Sequence, residues 1–498
     1  MIRKIFASAH RVLGAILCLF FLMWFLSGFV MIYHSYPRVK QDRKLLAEPA
    51  LTSALPADTA LCGQLPDTAK LQSLSVEMRF GRPIAYMKGK GVPASRYLDN
   101  GQPEEPFSEE VRTKELRRWC SARIERIDTL TALDIWIPFG RNRQELPIYK
   151  YHFADKAQHQ LYMTSRDGRI LQFTDRESRF WAYIGAIPHW IYFTFLRQHQ
   201  EAWTQFVIWS SGIGCIMCLL GLGLGIQSWW HTRRKGLLRS PYTKGWHKWH
   251  FVTGVFFGLF AITFAFSGLM SMRDIPDWMK KQKEETHRAG GMRGRRGAEA
   301  MLPPDRYALD YRRILADCDS VKRITWGSWG GHPFYQVQSD FTTWRIDAAD
   351  TTGITPFRLA EEWIRQDATR QLGDSVQWTL TLMTDYDSDY YARKKDRVPL
   401  PVYRVVADDY MHTHIYYQPE TLVTRRIDDD SRLRSLLYGG LHRLNLKWLT
   451  DRPVLWHIVM FTLLIGGSLL SLTGVAVSLK WIIRSLRRKI GMRKPNTP

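Results

Sequence analysis

Four windows of this 498-residue chain hold no Asp, Glu, Lys or Arg: Val12–Ile32, Phe206–Trp230, Phe251–Met272 and Ile458–Leu479. Each reaches the roughly 20 residues needed to span about 30 Å of hydrocarbon at about 1.5 Å per residue. A water-soluble helix rarely stays apolar on every face for that long. The pattern predicts four membrane-crossing helices and divides the chain around them. A first span lies in 1–34, a first outer domain in 35–180, an interfacial helix in 181–202 and a second span in 203–230. A basic loop, 231–249, leads to a third span in 250–273, a second outer domain in 274–433 and another interfacial helix in 434–452. The fourth span, 453–481, and a basic tail, 482–498, complete it. Alternating apolar and polar positions predict strands at Tyr149–Phe153, Gln160–Thr164 and Arg169–Thr174, and again at Tyr403–Ala407 and His414–Gln418. Helices are expected after them, at Ser178–Phe195 and Ser431–Leu449.

Charge gives direction to the spans. The loop His231–His250 carries Arg233, Arg234, Lys235, Arg239, Lys244 and Lys248 and no acid, and the C-terminal tail is equally one-sided. Positive ends stay in the cytoplasm, so both termini are expected inside and both large domains outside. The first window is too long for a cleavable signal peptide, and no small-residue cleavage site follows it. The net charge of +23 then largely belongs to segments facing anionic lipid. No recognition motif accompanies it, so nucleic-acid binding is excluded. The basic stretch Lys280–Arg296, expected outside, reads as a solvated linker, with an electrostatic dock for an anionic ligand or partner as the alternative.

Aligning the spans exposes a repeat. His10 meets His250, Gly14 meets Gly254, and Ser27-Gly28 meets Ser267-Gly268. In the second and fourth spans His189 meets His442, Trp203 meets Trp456, Gly214 meets Gly467 and Gly221 meets Gly474. Two copies in the same direction imply an approximate two-fold axis along the membrane normal. That axis would bring His10 and His250 to one depth and His189 and His442 to another.

Histidine is the candidate chemistry. His10, His231 and His250 fall at the inner ends of spans; His34, His189, His442 and His457 fall at the outer ends. Neutral imidazoles are axial ligands for haem iron, and two saturate it. Glycines one turn from His10 and His250 leave room for a flat macrocycle. Zinc is disfavoured, because neither cysteine nor carboxylate accompanies these histidines. The expected ligands are His10 with His250 inside and His189 with His442 outside, with His34 and His457 competing for the outer role. Of the cysteines, Cys18, Cys215 and Cys218 read as buried small hydrophobes, whereas Cys62 and Cys120 share an outer domain where a disulfide could persist. Asp385–Asp389 lacks the glycine of a calcium loop and reads as an exposed loop. His412 and His414 alternate on one strand face and read as surface residues. No phosphate-binding loop, dinucleotide fingerprint or nucleophile elbow is present.

Ala9-His-Arg-Val-Leu-Gly14 through Leu26-Ser-Gly28, its echo Trp249-His-Phe-Val-Thr-Gly254, the two outer meanders and Gly440-Leu-His-Arg443 together resemble the PepSY-associated membrane proteins. The resemblance covers most of the chain. It implies a four-helix membrane bundle with two α+β PepSY-like domains outside, in a bacterial inner membrane with a periplasm beyond. Some members of that family are ferric-siderophore reductases carrying two haems. The resemblance therefore implies two haem b groups, a ferric siderophore as substrate, and a cytoplasmic flavoprotein or membrane quinol as electron donor. Asp274 stands where the repeat of His34 would fall, so a symmetric role for His34 is not expected. PepSY modules are also linked with peptidase inhibition, which makes a non-catalytic membrane regulator the alternative. A transporter is disfavoured by the lack of carboxylates or lysine within the spans.

Overall fold

A computed structural model of the chain describes residues 2–39, 43–44, 47–56, 70–90, 95–102, 108–232, 240–243, 245–272, 275–281, 295–296, 301–393 and 398–489. Cys62, Asp274, most of 280–296, residues 233–239 and 244 of the basic loop and the end of the tail lie outside the described residues. Four helices are long and apolar enough to cross a membrane: Ile2–Tyr33, Gln200–Thr232, Gly245–Met270 and Pro453–Lys489. We call them spans one to four. Each packs on the next and the fourth returns to the first, closing a ring. Leu17, Phe21, Phe25, Met217, Ala261, Ala265, Met460 and Leu464 fill its interior. Ile16, Leu19, Trp209, Leu219, Phe256, Leu259, Ile458 and Ile465 point outward and exposed. An apolar exterior on this scale is what lipid tails, not water, accommodate. Glycines set the helix spacing. A Cβ on Gly214 would stand 2.9 Å from the Phe21 ring, and Gly467 receives the ring of Phe25 in the same way. Small residues at such crossings let backbones approach closely.

Three antiparallel sheets lie beyond one end of the bundle. The strands are β1 Lys70–Arg79, β2 Arg82–Lys90, β3 Ser95–Tyr97, β4 Ile124–Leu130, β5 Ile148–Phe153, β6 Gln160–Thr164 and β7 Ile170–Thr174. From the second outer segment come β8 Arg295–Arg296, β9 Arg323–Trp329, β10 His332–Gln338, β11 Thr343–Asp347, β12 Trp378–Met383, β13 Val402–Ala407, β14 His414–Tyr417 and β15 Val423–Ile427. The four-stranded sheet runs β4-β5-β6-β7 and the five-stranded sheet runs β12-β13-β14-β15-β8. The third has six strands, ordered β11-β10-β9-β1-β2-β3, and takes three from each outer segment. It is joined where Ser75, Val76 and Glu77 pair with Thr325, Ile324 and Arg323. Leu74, Val76, Ile324, Trp326, Tyr335 and Val337 bury its apolar face. The boundaries 35–180 and 274–433 treat the outer segments separately; this sheet ties them together.

The meanders at β5–β7 and β13–β15 follow the alternation closely, and each is preceded by a cis Leu–Pro bond, at Leu146–Pro147 and Leu400–Pro401. An aspartate locks each one. Asp134 accepts hydrogen bonds from the Tyr162 hydroxyl at 2.7 Å and Lys150 at 3.2 Å. Asp387 accepts them from the Tyr416 hydroxyl at 2.8 Å and Arg404 at 3.2 Å. Asp389 in turn holds Arg432 and His414. The Asp385–Asp389 stretch is a loop with Asp385, Tyr386 and Ser388 exposed, as expected, while Asp387 and Asp389 clamp it to the sheet. His412 sits in the preceding turn with φ 47, not on the strand, and bonds Asp429 at 2.9 Å.

Asp387→Ala should strand a tyrosine hydroxyl and a guanidinium in a half-buried site, at a cost of about 3 kcal/mol. The purified variant should melt several degrees lower, and an unchanged melting curve would refute the clamp. Burial raises the Asp387 carboxyl, but bonds from the Tyr390 backbone N–H and the Tyr416 hydroxyl outweigh it and leave it below its ordinary range. This stabilisation is in place above about pH 4 and is lost as pH falls through the lowered folded value.

The two expected interfacial helices are broken. The first is Arg176–Ile184, Ala186–Trp190 and Thr194–Arg197. The second is Asp429–Arg434, a π-helical turn at Ser435–Gly440, then Leu441–Arg443 and Lys447–Thr450. The short pieces carrying His189 and His442 each end on a left-handed residue, Ile191 at φ 54 and Leu444 at φ 52. A β-branched residue there is a genuine outlier costing of order 1–3 kcal/mol, and such strain persists only where the surroundings impose it.

Candidate functional site

Span one carries His10 one turn before Gly14; span three carries His250 one turn before Gly254. Their rings face each other with centroids 6.2 Å apart and planes inclined at 29°. At the other end of the bundle His189 and His442 have centroids 6.1 Å apart and planes inclined at 57°. Seventeen residues separate His10 from Ser27, which bonds His189, and the same interval separates His250 from Ser267, which bonds His442. The pairs are thus about 25 Å apart along the helices.

Glycines seat the inner rings. A Cβ on Gly221 would lie 2.5 Å from His10 Cε1, and one on Gly474 would lie 3.4 Å from His250 Cε1. A Cβ on Gly14 would meet nothing within 4 Å. Backbone breaks seat the outer rings. The αL turns at Ile191 and Leu444 reverse the chain directly behind His189 and His442. Behind each turn a tryptophan closes the structure: Trp203 Nε1 donates to Trp190 O at 2.9 Å, and Trp456 Nε1 to Arg443 O at 3.2 Å.

The hydrogen bonds fix the tautomer of all four imidazoles. His10 Nδ1 lies 3.0 Å from Met217 O, a carbonyl that can only accept, so Nδ1 carries the proton. His189 Nδ1 lies 3.1 Å from Ser27 Oγ, whose own proton goes to Trp24 O at 3.1 Å. The hydroxyl must therefore accept from the ring. Ser267 repeats this arrangement, accepting from His442 Nδ1 at 3.1 Å while donating to Phe264 O at 3.1 Å. His250 Nδ1 lies 3.2 Å from Thr473 Oγ1, which donates to Leu470 O at 2.8 Å. Each ring is thus Nδ1–H with a lone pair on Nε2, and among the described residues none of the four Nε2 atoms has a hydrogen-bond partner. Burial also lowers the basicity of His189 and of His442, where His189 and Arg443 lower it further. The outer pair is therefore neutral at physiological pH.

The other candidates go elsewhere. His34 lies flat on Trp181, centroids 4.2 Å apart. His457 bonds Pro453 O at 2.6 Å and stacks against Tyr33 and Phe461. Neither reaches the outer pair. His231 is exposed and bonds Gln227 O. Cys18, Cys120, Cys215, Cys218 and Cys318 are free thiols, and the Cys62 partner proposed for Cys120 lies outside the described residues. Away from the bundle Cys120, Asp155 and His159 bring ligand atoms within 4.8 Å of one another. His159 Nδ1 is already bonded to Asp155 at 2.7 Å and its ring stacks on Phe173, which accounts for the cluster as a turn lock. Sequence reasoning missed Ser27, Ser267 and Thr473 as partners and Gly221 and Gly474 as seats. The repeat alignment marked both the serines and the glycines as matched positions without giving them a role.

Each ring is oriented through its Nδ1 and offers a lone pair on Nε2, and two such rings about 6 Å apart carry the donor type of an axial ligand pair. A metal–imidazole bond of about 2.0 Å on each side, plus about 1.1 Å from nitrogen to ring centre, puts two centroids about 6.2 Å apart. Two imidazoles are too few for a tetrahedral zinc site, whereas a porphyrin supplies the remaining four ligands itself. The ring separations of the two pairs, 6.2 and 6.1 Å, match that spacing. Comparison with family models, curated proteins and solved structures returned no match.

Proposed function

We propose that this chain is a haem-dependent oxidoreductase of a bacterial inner membrane, moving electrons outward to ferric siderophores in the periplasm. The observation that carries this reading is the set of four Nδ1–H imidazoles, with no Nε2 hydrogen bond among the described residues, whose rings lie in two pairs 6.2 and 6.1 Å apart at two depths. We read the halves as tandem copies, with PepSY-like domains outside and both termini in the cytoplasm. The matched Ser–His bonds and the basic inner segments support that reading.

His10 with His250 and His189 with His442 would each hold one b-type haem. Haem supplies a reversible one-electron couple at each depth. The chain supplies the rest. Met217 O, Thr473, Ser27 and Ser267 keep each Nδ1 protonated and each Nε2 available, which also raises the donor strength of the ring. Phe21, Trp24, Phe25 and Phe264 fill the space between the pairs, with Phe25 and Phe264 edge-on at 5.8 Å and Phe264 5.7 Å from His442. They exclude water from the path. A quinol or a cytoplasmic flavoprotein supplies electrons at the inner pair. One electron per chelated Fe(III) leaves at the outer pair, and the Fe(II) formed binds its siderophore poorly and is released.

The test is spectroscopic. Purified protein should show a Soret band and about two haems b by pyridine haemochrome. After dithionite reduction and removal of excess reductant, its spectrum should return to the oxidised form when ferric siderophores are added. Protein without haem would overturn the proposal and favour the regulator reading. Haem that no ferric chelate reoxidises would overturn the substrate assignment.

A further inference from the structure

The two outer histidines differ in what lies next to them. The Tyr438 ring stacks on His442 with centroids 5.6 Å apart and planes 24° apart. The exposed Arg443 guanidinium lies over that same ring, 4.7 Å from its centroid, and donates to the Tyr438 hydroxyl at 2.7 Å. One turn away on the same π-helical segment, Ser435 Oγ accepts from Arg393 at 3.5 Å. Tyr391 fixes this corner by donating to Asn445 O at 2.7 Å. Among the described residues neither Arg443 nor Arg393 has a carboxylate partner. Their neighbours Arg404 and Arg432 are both taken up by aspartates. Beside His189 the positions matching Tyr438 and Arg443 are Gly185 and Trp190, which hold no cation.

We propose that Arg443 and Arg393, with the face of Tyr438 between Arg443 and His442, form the docking site for an anionic ferric chelate of the catecholate class. The inference rests on the function proposed above and assigns its outlet to the His442 side. Two guanidinia with no carboxylate partner among the described residues present planar, charged donor forks to phenolate and carboxylate oxygens. The planar Arg443 guanidinium, backed by the Tyr438 ring, gives electron-rich catechol rings a cationic surface to stack on. A hydroxamate chelate, neutral or cationic around the same metal, satisfies neither feature.

The redox-inert gallium(III) complexes of a tris-catecholate and a tris-hydroxamate test this without turnover. The full-length protein, in nanodiscs of zwitterionic lipid, should bind the anionic gallium catecholate about tenfold or more tightly than the hydroxamate. Arg443→Gln should remove about tenfold of that preference, and Arg443→Lys should restore part of it. Haem content is measured on every sample. Equal affinity for the two complexes, or a catecholate affinity unmoved by Arg443→Gln and by Arg393→Gln, would overturn the proposal even in haem-replete protein. Displacement of the gallium catecholate by anionic phospholipid at stoichiometric levels would also overturn it, by making the cluster a lipid-headgroup site. Protein lacking haem would refute the redox reading while leaving the gallium result to be judged by itself.

Discussion

Replacing His250 with alanine should lower the haem content of the purified protein from about two per chain to about one, with the protein still inserted in the membrane. His250 faces His10 at 6.2 Å and its ring is held by Thr473. Removing it leaves one imidazole and a void on the opposite side, so the inner site loses half of its axial donor set. His10→Ala should do the same, and the double variant should lose no more than either single one, because both act on one site. His189→Ala and His442→Ala should each remove the other haem. The four single variants therefore fall into two non-additive pairs. His34→Ala and His457→Ala serve as controls and should keep both haems, since their rings rest on Trp181 and on Tyr33 and Phe461. Pyridine haemochrome and the reduced-minus-oxidised spectrum distinguish these outcomes. Two haems retained in both His10→Ala and His250→Ala would reject the inner assignment. A different pairing among the variants would reject the geometry.

The spans were legible because exclusion of charge over a full membrane width is a one-dimensional signal, readable without knowing what the helix packs against. The strands at Ile148–Phe153 and Val402–Ala407 were legible for a related reason: a period of two survives wherever one face is buried. The proximity of His10 to His250 and of His189 to His442 could be anticipated from their matched positions in the sequence, because equal distance from a span's end implies equal depth. Depth was not enough for His34 and His457. Both lie at the outer end, but their direction around the helix decides what they touch, and their rings meet aromatics. The β1–β9 junction left no local mark, since its partners are far apart in the chain and the pairing uses ordinary strand residues. The αL turns at Ile191 and Leu444 were also hidden. Propensity argues against them at both positions, and only tertiary context imposes them. Thus the histidine pairs could be nominated from sequence, while the hydrogen bonds that orient their rings could not.

Gly221→Val should abolish the inner haem while leaving the outer one, although residue 221 is neither ionisable nor a ligand. A Cβ at this position would sit 2.5 Å from His10 Cε1, 3.0 Å from Nδ1 and 3.2 Å from Nε2. The ring has two side-chain torsions with which to escape, but it is tied to Met217 O on the same span, less than two turns from Gly221. Rotating away breaks that bond, frees the tautomer and carries Nε2 out of line with His250. Gly474→Val should act more weakly, because the corresponding approach to His250 is 3.4 Å and ordinary contact begins there. Gly223→Ala is the control: its Cβ would meet nothing within 4 Å, and exchanging glycine for alanine in a helix interior is worth up to about 1 kcal/mol in propensity. The graded series of two haems in Gly223→Ala, partial loss in Gly474→Val and one haem in Gly221→Val would follow from ring displacement alone. Equal haem content across all three variants would show that these glycines do not seat the imidazoles, and the inner site would have to be rebuilt from other residues.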